Sequence, residues 1–427
     1  MIATAMTILL VLIGLSIPVG AALGVLGLTL DPMFSELPLT RALGEISWNS
    51  NNEFLLVAIP LFILLGEVLL RAGLAEKMYQ SMSLWLSWLP GGLMHANIGA
   101  STLFSATSGS SVATSATVGT VAIPQIKKHG YKESLFLGSL AAGGTLGILI
   151  PPSINLVLYG VLTNSSVPKL YLAGIIPGFM LAGLFILTII IACVLKPEWG
   201  GKKIYANWGD RFRSLVNLLP PLGIFFLVVG SIYAGLATPT EAAALGVFGA
   251  LVLAAFYRRL TLNMLREAIE GTMKSTAMIM LIVIAAAFLN FVMSATGLTN
   301  AITDFIGGLG LSAGWMLLVL VIFYLVLGCF METLSMMITT IPIVAPVMIG
   351  LGYDPVWLGI MIIILVEAAL ITPPVGMNLF VVQSLRKSGS MNDVIVGSLP
   401  FVAAMFVMLL LLALFPAIAM WMPTTFG

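Results

Sequence analysis

The chain has 427 residues, 60% of them hydrophobic and only 8% charged, with a net charge of +1 and a mean hydropathy of +1.12. A soluble domain carries about 25% charged residues, so this composition excludes a soluble enzyme or binding module and indicates a polytopic integral membrane protein. The near-neutral balance carries no information about nucleic acid, and two cysteines in apolar stretches, Cys193 and Cys329, read as core residues with no disulfide framework.

Membrane spans need about 20 apolar residues each. In chain order the candidates are 2–30 (interrupted at Pro18), 54–70, 133–162, 169–195, 215–235, 240–256, 276–293, 356–384 and 395–422. Met1 leads straight into apolar sequence without a basic n-region, so the first stretch reads as a span and not as a signal peptide. Whether 1–30 forms one helix or two is open at this point, with the repeat described below favouring two. The polar stretches 31–53 and 196–214 read as loops. Amphipathic stretches 75–90 and 296–311 read as interfacial helices.

Two further apolar stretches, 92–126 and 313–350, are long enough to enter and leave on one side. Of the 18 basic residues, all but Arg41 and Lys169 fall in loops that one topology places on a single face, which the positive-inside rule makes cytoplasmic. That topology starts and ends 92–126 in the cytoplasm and 313–350 outside. Each is therefore expected to be a re-entrant helical hairpin, and the two are expected to enter from opposite sides.

A block of the chain recurs 222 residues later. Ala21–Gly27 recurs at Ala243–Gly249, Gly130-Tyr131 at Gly352-Tyr353, and Pro151-Pro152 at Pro373-Pro374. Two halves broken by Gly and Pro at matching places are the sequence signature of a secondary transporter, and the breaks point to its binding site. The expected fold is thus an all-α polytopic membrane protein of two inverted-topology repeats, each with a re-entrant hairpin and a Pro-Pro-broken transmembrane helix.

The residues with chemistry lie at these breaks. Eleven of the twenty residues 101–120 are Ser or Thr, and the first tip, Ser108-Gly109-Ser110-Ser111, can hold a hard cation through hydroxyls and open carbonyls; small-residue helix packing is the alternative. Facing it, Gly144, Gly147, Pro151, Pro152 and Asn155 lie where span 133–162 should unwind. The second half offers Thr372, Pro373, Gly376 and Asn378 at the equivalent break, and a tip with Glu332, Thr333 and Ser335. Glu332 stands where the first half has Ser110, and an intramembrane carboxylate is a functional hypothesis by default. Glu241 reads as an N-terminal helix carboxylate, Glu67 as an i,i+4 ion pair with Arg71, and Glu367 has no assigned role. His95 and His129 have no partner at metal-ligand spacing, and neither a His-Glu-x-x-His nor a P-loop pattern is present. Enzymatic activity is not expected.

Together, Ser108–Thr114, Gly147–Ser153, Thr238–Ala244 and Thr372–Gly376 resemble the large membrane subunit of tripartite ATP-independent periplasmic (TRAP) transporters, and the resemblance spans the whole chain. It implies a sodium-driven importer of organic acids such as dicarboxylates or sugar acids, multi-pass in the bacterial inner membrane and working by an elevator motion. Its implied partners are a separate four-helix small membrane subunit, a periplasmic substrate-binding protein and membrane lipid; sodium is the coupling ion and no cofactor is implied. One sodium site would use Ser108–Ser111 with backbone at Gly144 and Gly147, the other the Glu332–Ser335 tip with Thr372 and Gly376. The transport domain would comprise 91–195 and 313–427, and the scaffold 1–90 and 213–312, with 196–212 as a cytoplasmic linker. Segment 31–53, with Asp31, Glu36, Glu45 and Glu53 against Arg41, would help dock the binding protein. A proton-coupled or stand-alone carrier of the same superfamily, with Glu332 as proton carrier, is the alternative within transport.

Overall fold

The computed structural model describes residues 1–427 apart from Ser16, 203–206, Leu309, Leu311, Cys329, Phe330 and Lys387, and apart from the side chains of Ile13, 106–108, Asn300, Thr303 and 305–307. The expectation for Cys329 therefore lies outside the described residues; Cys193 is buried and free, as a core residue should be.

The described chain is all-helical. The first half runs α1 (Ile2–Gly14), α2 (Val19–Phe34), α3 (Leu43–Asn51), α4 (Ala58–Arg71), α5 (Leu74–Leu86), α6 (Leu93–Ser108), α7 (Ser111–His129), α8 (Glu133–Thr145), α9 (Ile154–Thr163) and α10 (Val167–Leu195). After α11 (Trp208–Leu215), the second half runs α12 (Leu219–Tyr233), α13 (Pro239–Phe256), α14 (Leu262–Ala295), α15 (Leu298–Gly308), α16 (Ala313–Leu327), α17 (Thr333–Gly350), α18 (Pro355–Ile371), α19 (Met377–Ser384) and α20 (Met391–Leu414), closed by α21 (Ala417–Phe426). Helix boundaries follow the 222-residue offset: α7 and α17 start at Ser111 and Thr333, and α8 and α18 start at Glu133 and Pro355.

Pro18 divides 1–30 into two helices, because Pro lacks the N–H that a continuous helix needs there. Three expected boundaries shift. Segment 31–53 is not all loop: it carries a 3-10 turn at Leu39–Ala42 and helix α3. Segment 196–214 likewise contains α11. The expected span 276–293 is only the apolar part of α14, whose 34 residues begin with a charged stretch around Arg266–Glu270. Among the described residues seven helical stretches are long and apolar enough to cross a membrane, including α10, α14 and α20. α17 also meets that criterion alone, whereas α1, α2, α9, α16 and α18 are shorter, split off by Pro and Gly.

Helix starts carry side-chain caps that satisfy N–H groups otherwise left without partners. Ser110 caps α7, Ser153 caps α9, Glu332 caps α17 and Asp354 caps α18. Thr238 and Glu241 form a reciprocal capping box on α13, so Glu241 has the structural role expected of it.

Packing exchanges partners between the halves. α2 lies on α14 and α13 on α4, forming one group; α8 lies on α20 and α10 on α18 in another. The α8–α20 crossing is close enough that a Cβ on Gly138 would fall 1.9 Å from the Gly397 carbonyl oxygen. Only glycine fits, and the backbones touch, as small residues permit in membrane helix packing. At the centre, α7 packs on α19 and α17 packs on α9. The second helix of each hairpin thus sits against the broken helix of the other half.

A cavity at four helix starts

Both proline pairs interrupt their helices as expected. Leu149–Ser153 separates α8, with its terminal 3-10 turn, from α9, and Thr372–Gly376 separates α18 from α19. Both Pro-Pro bonds are cis. The hairpin tips close against these breaks. Gly109, with φ +59°, turns the chain between α6 and α7, and a Cβ there would lie 3.4 Å from the Pro152 carbonyl. A Cβ on Gly147 would fall 2.7 Å from the Ser110 carbonyl oxygen, and one on Gly144 would fall 1.7 Å from Ser115 Oγ. The glycine face of α8 therefore lets the serine-rich tip approach to backbone contact.

Between the tips lies a cavity of about 300 Å³. Its walls are Gly109–Ala113 of the first tip, Glu332–Leu334 of the second, Ile148, Ile154 and Asn155 of the first break, and Met377 of the second. Ile63, Gly66, Glu67 and Leu70 of α4, with Ser275, Met278 and Ile279 of α14, close the opposite side. The first turns of α7, α9, α17 and α19 all reach this space. Helix N-termini carry partial positive charge, so four of them converging favour an anion at the far side of the cavity from Glu67 and Glu332, although no Lys or Arg lines it among the described residues. Side-chain caps already take some N–H groups of α7, α9 and α17. α19 has no side-chain cap, and the N–H groups of Leu379 and Phe380 donate to Gly376 O, at 2.9 Å and 3.4 Å.

The sequence-predicted residues divide. Gly109, Ser110, Ser111, Asn155, Glu332 and Thr333 come together on the cavity wall. Asn155 Nδ2 donates to Met337 Sδ at 3.3 Å, bridging α9 and α17. Gly144, Gly147, Pro151 and Pro152 are buried behind the first tip and support it. Ser335 is buried and donates to the Glu332 carboxylate at 3.4 Å, which also accepts from the N–H groups of Leu334 and Ser335. The side chain of Ser108 lies outside the described residues.

On the second break the expectation is only partly met. Thr372 Oγ1 donates to Ala368 O within its own helix turn at 2.6 Å, and neither Pro373 nor Gly376 lines the cavity. Asn378 does not face the cavity either. It is fully buried and turned toward α8, donating to Ala141 O at 3.4 Å, and the one-residue-earlier Met377 takes the wall position.

Two carboxylates matter more than their sequence context indicated. Glu67 makes the expected ion pair with Arg71, which also reaches Glu267 at 3.5 Å, yet Glu67 lines the cavity as well. Glu367 is fully buried near the end of α18, and its Oε1 accepts from Ser111 Oγ at 2.6 Å. A lone carboxylate in an apolar run, five residues before Thr372, was the available signal. In segment 31–53 one residue departs from expectation: Asp31 is buried and accepts from the N–H groups of Leu39 and Thr40, both at 3.1 Å, so it caps the 3-10 turn and cannot serve docking.

The donors around the tips are oxygens, in hydroxyls, carbonyls and carboxylates, which suits a hard monovalent cation better than a soft metal. No group of three or more His, Cys, Asp or Glu residues able to hold a metal ion occurs among the described residues.

Comparison with known proteins identifies the family. The family model described as "Tripartite ATP-independent periplasmic transporter, DctM component" matches residues 6–418. The chain is 32% identical over 429 residues to the C4-dicarboxylate TRAP transporter large permease protein of Vibrio cholerae, covering 96% of this chain and 94% of that protein. It is also 32% identical to the sialic acid TRAP transporter large permease protein of the same organism, over 88% of this chain and 87% of that one. The fold is similar to that of the Alcanivorax borkumensis YdaH transporter, with a TM-score of 0.55 at 17% identity, over 87% of this chain and 89% of that chain.

Proposed function

The chain belongs to the DctM component family of tripartite ATP-independent periplasmic transporters, and from that premise we propose that it performs sodium-coupled import of a small organic acid anion across the bacterial inner membrane. It is a transporter permease component and not an enzyme. The observation that carries the substrate class is the convergence of four helix starts on one cavity free of Lys and Arg. Helix dipoles and backbone N–H groups stabilise a carboxylate there without a fixed cation that would hold it too tightly to release. The two relatives named above take a C4-dicarboxylate and sialic acid by their names. The chemistry common to both is a carboxylate, and that is the class proposed.

Sodium would be held at the two tips: Ser110, Ser111 and carbonyls facing Gly144 and Gly147 at the first, Glu332 and Ser335 at the second. Bound there, the cation supplies positive charge beside the cavity and so raises affinity for the anion. The chain's own residues do the rest. Ser110 and Glu332 fix the starts of α7 and α17, and Asn155 presents an amide to the substrate from the start of α9.

The halves read as inverted repeats whose hairpins, 92–126 and 313–350, are re-entrant. The elevator reading follows from where the cavity lies. One wall is built from tips and breaks, within 91–195 and 313–427, and the other from α4 and α14, within 1–90 and 213–312. A sliding motion along that boundary would carry the tips, breaks and substrate together. For partners, the apolar groove between α12 and α13, lined by Gly223, Gly249 and Phe256, suits a helix of a small membrane subunit. The exposed Leu37, Trp48 and Phe54 beside exposed Glu36, Glu45 and Glu53 suit a periplasmic binding protein.

The test is uptake by proteoliposomes containing this chain and its small subunit. Uptake of an organic acid that requires both a sodium gradient and added binding protein supports the reading. Uptake driven by a proton gradient alone, without binding protein, overturns it in favour of a stand-alone carrier.

A further inference from the structure

We propose that Glu367 is the anionic ligand of the cation held at the first tip, which makes that site a joint product of the two halves. This rests on the sodium-coupled reading above and deepens it, since it adds a charged residue of the second half to a site otherwise built from the serines of the first. Glu367 is fully buried, and its Oε1 accepts from Ser111 Oγ at 2.6 Å. Its Oε2 has no hydrogen-bond partner, and no Lys, Arg or His stands within ion-pair distance among the described residues.

Such a group is stable only with a counter-charge or a bound proton beside it. An unpaired carboxylate taken out of water costs several kcal/mol even after relaxation. Its position adds to the penalty, because Glu367 lies in the last turns of α18, which ends at Ile371, where the helix dipole is negative. Nothing on its own helix stabilises it.

A second observation points to the same place. Ser115 Oγ, one turn beyond Ser111 on the same face of α7, is also buried and without a partner. Ser111 O and Ser115 Oγ both face the bare backbone of Gly144, within 3.1 Å and 1.7 Å of where a Cβ would stand. Glu367 Oε2 and Ser115 Oγ are thus both unused buried oxygens near Ser111, which lies one helical turn from Ser115. The Ser111 hydroxyl donates a hydrogen bond to Glu367 Oε1 and keeps lone pairs free. The set is all oxygen with a single formal charge, which matches a monovalent hard cation.

The experiment uses the purified complex with its small subunit in detergent. Thermal protection is measured against sodium concentration, with choline holding ionic strength constant, and binding of radiolabelled sodium is measured in parallel. Glu367→Gln keeps the shape and removes the charge; it is expected to raise the half-saturating sodium concentration at least about tenfold, which is about 1.4 kcal/mol. Glu367→Asp is expected to fall between the two, and it decides the matter if the Gln variant does not fold. Wild-type sodium affinity in the variants overturns the proposal and leaves sodium coupling standing. A wild-type complex showing neither sodium protection nor sodium binding overturns both.

Discussion

Ser111 and Glu367 are 256 residues apart in the chain, and they meet through a hydrogen bond of 2.6 Å between fully or nearly buried side chains. The bond joins the first residue of one hairpin helix to the broken helix of the opposite half. Ser111→Ala strips Glu367 of the partner recorded for its Oε1, and leaving a buried acceptor unsatisfied costs about 1–3 kcal/mol. A measurably lower melting temperature of the purified complex is expected in sodium-free buffer. An unchanged one would show that the bond contributes nothing to holding the halves together.

The α8–α20 crossing predicts a sharp contrast between glycines. Gly138→Ala and Gly397→Ala each drive a methyl into facing backbone, at 1.9 Å and 1.8 Å, which cannot move aside as a side-chain tip can. Overpacking of this kind costs about 1–3 kcal/mol or more. Gly183→Ala meets nothing within 4 Å and should leave stability near wild type. Thermal unfolding of the three variants side by side checks this.

Arg386 follows α19 with its side chain only 2% exposed, donating to Glu133 at 2.8 Å and Asp393 at 3.3 Å. It clasps the end of one broken helix to the start of α8 in the other half and to the start of α20. Arg386→Ala should cost about 1.5–3 kcal/mol, because it removes the hydrogen bonds of a buried guanidinium to two carboxylates that are themselves half exposed. Arg266→Ala breaks an ion pair that is 77% and 48% exposed and should cost under about 1 kcal/mol. Equal melting temperatures for the two variants would refute the clasp.

The two asparagines after the proline pairs should separate cleanly. Asn155 lines the cavity, so Asn155→Ala is expected to raise the substrate concentration for half-maximal uptake roughly tenfold, about 1.4 kcal/mol, in addition to losing the bond to Met337. Asn378 is buried against Ala141, so Asn378→Ala should instead lower stability by about 1 kcal/mol. Uptake kinetics and melting curves on both variants decide it.

On segment 31–53 the acidic residues should split the same way. Replacing Glu36, Glu45 and Glu53 together with Gln removes exposed charge only, and is expected to raise the binding-protein concentration needed for half-maximal uptake while leaving the melting curve in place. Asp31→Ala removes two backbone hydrogen bonds, at about 0.5–2 kcal/mol for a lost cap. It should lower stability. A triple variant with unaltered dependence on binding protein would move docking elsewhere.

Much of this was legible in the sequence because Gly and Pro act locally. Pro18, Pro151-Pro152 and Pro373-Pro374 each end helices by what they do to their own backbone, so the breaks and the matching starts of α7 and α17 could be read from the chain. The Thr238–Glu241 box and the Glu67–Arg71 pair are equally local. What could not be read depends on which face of a helix meets which neighbour. Asn378 and Met377 are adjacent, and only the packing of α19 on α8 and α7 decides which one sees the cavity. Asp31 looks like a loop charge until the 3-10 turn folds back over it. The Ser111–Glu367 contact has no sequence signal at all, because it is made by halves that interlock.

That exchange of partners also sets the order in which the fold can be completed during synthesis. α8 leaves the ribosome early, yet the helix it packs on most closely is α20, made near the very end. Until Gly397 arrives to meet Gly138, the glycine face of α8 lacks the backbone it is shaped for and must wait in the bilayer or its insertion machinery. A ribosome that stalls before Met391 would release a chain that holds every residue of the cavity wall but lacks the span that packs on α8, a ready substrate for membrane quality control.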